Sequence, residues 1–174
     1  MSRAFIDEDS EHQDELPEIP QSHNPGYITP GGYHLLQEEL ERLENVERPP
    51  LVEEMESGEA GATEAEVTLA RLDQRIRYLH ARIGRAIVID PTEAPADHVH
   101  FGSIVSVTDE HGHAMRVHIV GEDETDPDAG RVSCFSPLAK ALMSKGVGDV
   151  AVWHRPIGDA RLTITAIEQE APKE

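Results

Sequence analysis

Leu69-Ala70-Arg71-Leu72-Asp73-Gln74-Arg75-Ile76-Arg77-Tyr78-Leu79-His80-Ala81-Arg82-Ile83 carries large aliphatic residues at 69, 72, 76, 79 and 83, with spacings of three and four throughout. That is a heptad seam, one narrow apolar stripe along a helix. A stripe this narrow needs a partner of the same kind to bury it. Tyr33, Leu36, Leu40 and Leu43 supply one, at spacings of 3, 4 and 3. Thr29-Pro30 opens that first helix with a hydroxyl cap and a proline at the first helical position, where its missing N–H costs nothing. A polar, glycine-containing stretch at residues 57–63 separates the two seams. The pattern predicts an antiparallel coiled-coil helical hairpin over residues 27–88. Pro49-Pro50 predicts a kink or break in its first arm, because each proline removes a backbone donor and crowds the preceding turn. Leu51, Val52 and Met55 restart the apolar pattern on a shifted register.

Outward from the hairpin, the period changes. Met115, Val117 and Ile119 alternate with Arg116 and His118, and Leu162, Ile164 and Ala166 alternate with Thr163 and Thr165. Residues 101–107, 131–135 and 150–153 give three more strands. Ser136-Pro137-Leu138-Ala139-Lys140-Ala141-Leu142 reads as a short helix with Ser136 as its cap. Turns fall at residues 109–112 and 126–130. The fold class is therefore α+β, with a helical hairpin followed by an antiparallel sheet and one packed helix over residues 89–168. Residues 1–26 hold Asp7, Glu8, Asp9, Glu11, Asp14, Glu15 and Glu18 among three prolines, with no hydrophobic period. They predict a disordered acidic tail, and residues 169–174 a second short tail.

The 174 residues include 34 acidic and 15 basic side chains, a net charge of −19, which argues against a general grip on nucleic-acid backbone. No apolar run approaches a membrane span, and the amino-terminal residues lack a signal-peptide pattern. A cytoplasmic protein that uses no membrane is expected. One cysteine, Cys134, leaves no disulfide framework or cysteine zinc cage, and a buried inert thiol is expected. His98 and His100 could share a zinc ion from one strand face, but no third ligand is identifiable. Between residues 53 and 66 stand Glu53, Glu54, Glu56, Glu59, Glu64 and Glu66 with no base among them, while Arg71, Arg75, Arg77, Arg82 and Arg85 line the second helix. Crowded carboxylates at a projecting tip attract a hard cation such as Mg²⁺. Equally, glutamates are good helix formers on an exposed face.

Three local patterns match a known family: Ile28-Thr29-Pro30-Gly31-Gly32-Tyr33 with Leu36 and Glu39-Leu40; Glu47-Arg48-Pro49 with Asp73-Gln74-Arg75-Ile76-Arg77-Tyr78-Leu79; and Ile119-Val120-Gly121 with Asp123-Glu124, Ser136-Pro137-Leu138-Ala139 and Val147-Gly148-Asp149. In this order the chain resembles the bacterial Gre transcript-cleavage factors, GreA and GreB, the GreB-like members most of all. The resemblance implies a hairpin followed by an FKBP-like domain, acting as a monomer. It implies RNA polymerase as partner, with nascent RNA met indirectly, and no metal of the chain's own. Phe135, Ser136 and Pro137 would face the polymerase, and Arg71, Arg75 and Arg82 the RNA. Glu59 and Glu64, with Glu66 as a further candidate, would assist Mg²⁺ at the polymerase active site, where backtracked RNA is hydrolysed. The polymerase would remain the enzyme. The chain departs from the family at three points. Thr63 stands where the tip glutamate belongs, Phe135 replaces an acidic residue before Ser136, and each hairpin arm is shorter by about one turn, roughly 5–6 Å. These departures suit a second reading, a non-cleaving polymerase-binding regulator or a protein like the nucleoside diphosphate kinase regulators. The FKBP-like domain also raises prolyl isomerase activity, for which Phe101, Phe135 and Trp153 would have to line one pocket.

Overall fold

A computed structural model describes residues 16–58 and 62–170. They form two compact units, one made of the segment up to Ser22 with Glu38–Arg82, the other of His23–Gln37 with the chain from Ile83 onward. Three helices serve the hairpin: α1 (Pro30–Arg42), α2 (Arg48–Ser57) and α3 (Ala62–Arg85). The seam read from the sequence is the buried stripe, with Leu43, Leu69, Leu72, Ile76 and Leu79 all inside. Two ion pairs and a hydrogen bond tie the arms together: Arg75 Nε to Glu39 at 2.8 Å, Arg48 Nε to Asp73 at 2.8 Å, and His80 Nε2 with the Glu44 carboxylate at 2.7 Å.

The break expected at Pro49-Pro50 begins one turn earlier. Leu43–Glu47 forms a single wide helical turn, in which the Arg48 N–H reaches back five residues to the Leu43 carbonyl. Both prolines then occupy the first turn of α2, where their missing donors matter least. Residues 16–22, read as part of a disordered tail, run against α3: Glu18 pairs with Arg77 at 2.6 Å, and the Gln74 amide donates to the Pro17 carbonyl. Residues 1–15 of that tail lie outside the described residues.

In the second unit, β1 (Gly26–Ile28) and β2 (Ala86–Val88) form a small parallel pair, joining the residues before α1 to those after α3. A five-stranded sheet follows, made of β3 (Ser103–Asp109), β4 (Ala114–Val120), β5 (Arg131–Ser133), β6 (Val150–Trp153) and β7 (Ala160–Gln169), in the order β5-β4-β3-β7-β6. The expected antiparallel arrangement holds for β4-β3-β7-β6. β5 corrects it by running parallel to β4, because the chain loops back after Val120 rather than turning in a hairpin. Alternation places Val105, Val107, Val117, Ile119, Leu162 and Ile164 on the core face. Helix α4 (Pro137–Leu142) covers that face with Leu138, Ala139 and Leu142, and the Ser136 hydroxyl caps it by accepting from the Ala139 N–H at 3.2 Å. Among the described residues no helix is long and apolar enough to cross a membrane.

Candidate functional site

Helix α2 buries none of its residues and ends at Gly58, whose φ of 67° is the left-handed conformation glycine adopts without strain. Glu53, Glu54 and Glu56 are exposed on it, while Leu51, Val52 and Met55 are half-buried. Glu59 lies outside the described residues. Helix α3 restarts at Ala62 with Glu64 in its first turn, where a carboxylate also favours the positive end of the helix dipole. Ala65, 3% exposed, is turned inward, which fixes the rotation of the helix and leaves Thr63, Glu64 and Glu66 facing solvent. Among the described residues no group of three or more His, Cys, Asp or Glu side chains is arranged to hold a metal. One exposed carboxylate can still add an oxygen to an ion held by another protein.

The basic face of α3 differs from its reading. Arg71 is exposed as expected. Arg75 is engaged bidentately by Glu39, at 2.8 and 3.0 Å, and lies over the Tyr78 ring with 5.2 Å to its centroid. Arg82, assigned to an RNA-facing surface, is only 4% exposed, so it belongs to the interior. The alternation of three and four puts Ile83, not Arg82, on the seam, so Arg82 is buried beside the stripe and spacing alone does not reveal it.

In the second unit Phe135 stacks on Tyr27, with 5.9 Å between centroids and 19° between planes, and Phe101 meets Tyr27 edge-on at 6.2 Å. Of the three residues expected to face the polymerase only Pro137 is exposed, as Phe135 packs on the core and Ser136 caps α4. Trp153 lines a cavity of about 410 Å³ with His113, Met115 and Arg155, and neither Phe101 nor Phe135, which pack on Tyr27, lines it. His98 pairs with Asp97, while His100 bonds the Phe101 carbonyl and contacts Gln169, so the two rings make separate contacts. Burial raises the pKa of the Cys134 thiol above its usual value, in keeping with an inert core thiol.

A residue whose role was not foreseen organises this unit. The Glu124 side chain is only 2% exposed and accepts from the Thr29 N–H and the Gly121 N–H, both at 3.0 Å, and from the Thr29 hydroxyl. Arg131 Nη2 approaches it at 3.5 Å. The Thr29 hydroxyl in turn accepts from the Gly32 N–H at 3.1 Å and so caps α1. A side chain at Gly32 would collide with Glu124, its Cβ falling 2.2 Å from Oε1. The motif Ile28-Thr29-Pro30-Gly31-Gly32 and the motif Gly121 with Asp123-Glu124 are thus two halves of one buried junction.

Comparison with known proteins bears on both units. Residues 26–88 match the family described as "Transcription elongation factor, N-terminal", and residues 94–169 match "Transcription elongation factor, GreA/GreB, C-term". The chain belongs to the GreA/GreB family of transcription elongation factors. It is 34% identical over 151 residues to the transcription elongation factor GreB of Neisseria meningitidis serogroup B, a match covering 82% of this chain and 93% of that one. It is 36% identical over 152 residues to the transcription elongation factor GreA of Thermodesulfovibrio yellowstonii, covering 82% and 96%. Among solved structures, the GreA factor homolog 1 of Thermus thermophilus aligns over 82% of this chain and 97% of its own, at 26% identity and a TM-score of 0.37. The Gre family stimulates cleavage by RNA polymerase and does not itself act as the enzyme.

Proposed function

We propose that this Gre-family factor binds RNA polymerase at the secondary channel and acts on backtracked or arrested elongation complexes. Exposed Pro137 and the neighbouring Phe135-Ser136 turn would dock on the polymerase, and the hairpin would enter the channel. The observation that carries the reading is the first turn of α3, where buried Ala65 sets the helix rotation and leaves Glu64 exposed beside the hairpin turn. Glu64, with Glu59, would lend carboxylate oxygens to Mg²⁺ held by the polymerase. In two-metal hydrolysis such an ion stabilises charge at the phosphoryl group and activates water. The chain's own part is to deliver the carboxylates and hold them in place.

The test is purified polymerase halted in a backtracked state, with RNA length as the readout. Shortened RNA with the native chain, lost in a Glu59→Ala, Glu64→Ala double variant, is the expected result. Thr63 at the tip favours a second reading, a regulator that binds without stimulating cleavage. Binding with no shortened RNA would select it. Failure to bind polymerase at all would refute both.

A further inference from the structure

We propose that residues 16–22 are a built-in strap that occupies the outer face of α3 and withholds Arg77 from polyanions, single-stranded RNA being the ligand that competes for it. The segment reads Leu16-Pro17-Glu18-Ile19-Pro20-Gln21-Ser22, with prolines three apart. Leu16, Ile19, Gln21 and Ser22 are half-buried, while Pro17, Glu18 and Pro20 are exposed. Prolines three apart favour a polyproline II chain, which has three residues per turn and no internal hydrogen bonds. Such a chain is already extended and stiff, so laying it on a surface costs little ordering entropy. Its polar contacts fall in sequence along one helix: Gln21 Nε2 donates to the Tyr78 carbonyl at 3.5 Å, Glu18 pairs with Arg77 at 2.6 Å, and Gln74 Nε2 donates to the Pro17 carbonyl. Moving back toward the chain start therefore carries the strap along α3 from residue 78 to residue 74.

The chemistry of the covered face defines what it would otherwise take. The Arg77 side chain is 38% exposed even with Glu18 in place, and it stands beside a glutamine amide. Such a pair of groups suits an extended chain bearing one anion per few ångströms, and a phosphodiester backbone answers that description. The strap supplies the same chemistry from within, a carboxylate and backbone carbonyls. Arg75, the next base on the helix, is already held by Glu39, so with the strap on both arginines at this point of the shaft are paired to carboxylates. This inference concerns the strap and α3 alone, and it is tested without polymerase.

An exposed ion pair contributes little by itself, so Glu18→Gln alone should speed amide hydrogen exchange in residues 16–22 by less than about fivefold. A triple variant, Leu16→Ser, Glu18→Gln, Ile19→Ser, also removes the apolar anchors and should bring exchange there close to the unprotected rate. The functional arm measures a fluorescent oligouridylate probe at low ionic strength, with the full chain throughout. The triple variant should bind it at least twofold more tightly than a Glu110→Gln control, in which one negative charge is removed from an exposed turn of the second unit. Adding Arg77→Gln to the triple variant should cancel that gain. Unchanged exchange in the triple variant would overturn the strap. A probe affinity no better than the control, or a gain that survives Arg77→Gln, would overturn the shielding role.

Discussion

Replacing Glu124 with alanine tests the buried junction of the second unit. The side chain is the acceptor for two backbone N–H groups and one hydroxyl, all inside the protein. Deleting it leaves the Thr29 and Gly121 donors without the partner that satisfied them, and it leaves Arg131 facing a hole. A buried donor stripped of its partner costs about 1–3 kcal/mol. Breaking a buried charged pair from one side costs about 3–5 kcal/mol. These figures overlap rather than add, so Glu124→Ala should destabilise the second unit by about 3–5 kcal/mol. Glu124→Gln keeps an acceptor oxygen and nearly the same volume, and should cost about 1–2 kcal/mol. Trp153 is the only tryptophan of the chain and lies in β6, so its fluorescence follows unfolding of this unit rather than of the hairpin. With a urea slope of about 2 kcal/mol/M, the midpoint should fall by about 2 M. Gly32→Ala should disturb the same junction from the other side, since its Cβ would sit 2.2 Å from the Glu124 carboxylate. The Gly32→Ala, Glu124→Ala pair should then cost less than the sum of its members, because removing the carboxylate removes the clash. A loss under 1 kcal/mol for Glu124→Ala, or strict additivity in the pair, would refute the junction.

Further outcomes follow from the same coordinates. His118 is held below its ordinary pKa chiefly by burial, with the Glu170 carboxylate, 3.8 Å from Nε2, opposing the shift. The native state therefore binds this proton less readily than the unfolded chain does, so stability present above about pH 6.5 should be lost as pH falls toward the folded-state pKa. His118→Gln should flatten that part of a urea midpoint–pH curve. Ser136→Ala removes the cap of α4 and should cost about 1 kcal/mol in the same unfolding assay. Leu142→Ala, at a fully buried position under the sheet, should cost about 2–5 kcal/mol. The Asp109 carboxyl is held at about 2 because it accepts from the backbone N–H groups of His113 and His111, so the protection of those two amides, measured against their intrinsic exchange rates at each pH, should fall only as pH drops through about 4 to 2.

Much of this architecture is written in local spacing. The seam from Leu69 to Leu79 has one physical use, and the buried stripe of α3 is that use. The caps Thr29 and Ser136 are equally local, each hydroxyl meeting an N–H three residues on. Strand direction is not local, and nothing in Arg131–Ser133 says that it runs parallel to β4. The pair β1–β2 is three residues long on each side, too short to show a period. Glu124 was visible only as part of a motif, because its principal partner lies 95 residues earlier in the chain. Arg82 stands one residue before the seam position Ile83 and carries a guanidinium, so neither its spacing nor its type announces its burial.

The wide turn at Leu43–Glu47 bears directly on the tip. Two successive prolines cannot donate to the carbonyls of Asn45 and Val46, so a regular helix through this point would leave both acceptors unmet. A turn closed by the Arg48 N–H on the Leu43 carbonyl takes in one extra residue and rotates everything beyond it by about 100° relative to α1. That rotation explains why Leu51, Val52 and Met55, which break the heptad phase of Leu36, Leu40 and Leu43, are the half-buried residues of α2. It also turns Glu53, Glu54 and Glu56 outward. Had α2 continued the phase of α1, apolar residues would have faced solvent. The direction in which this arm presents its carboxylates is therefore decided by Pro49 and Pro50, several residues away from any of them.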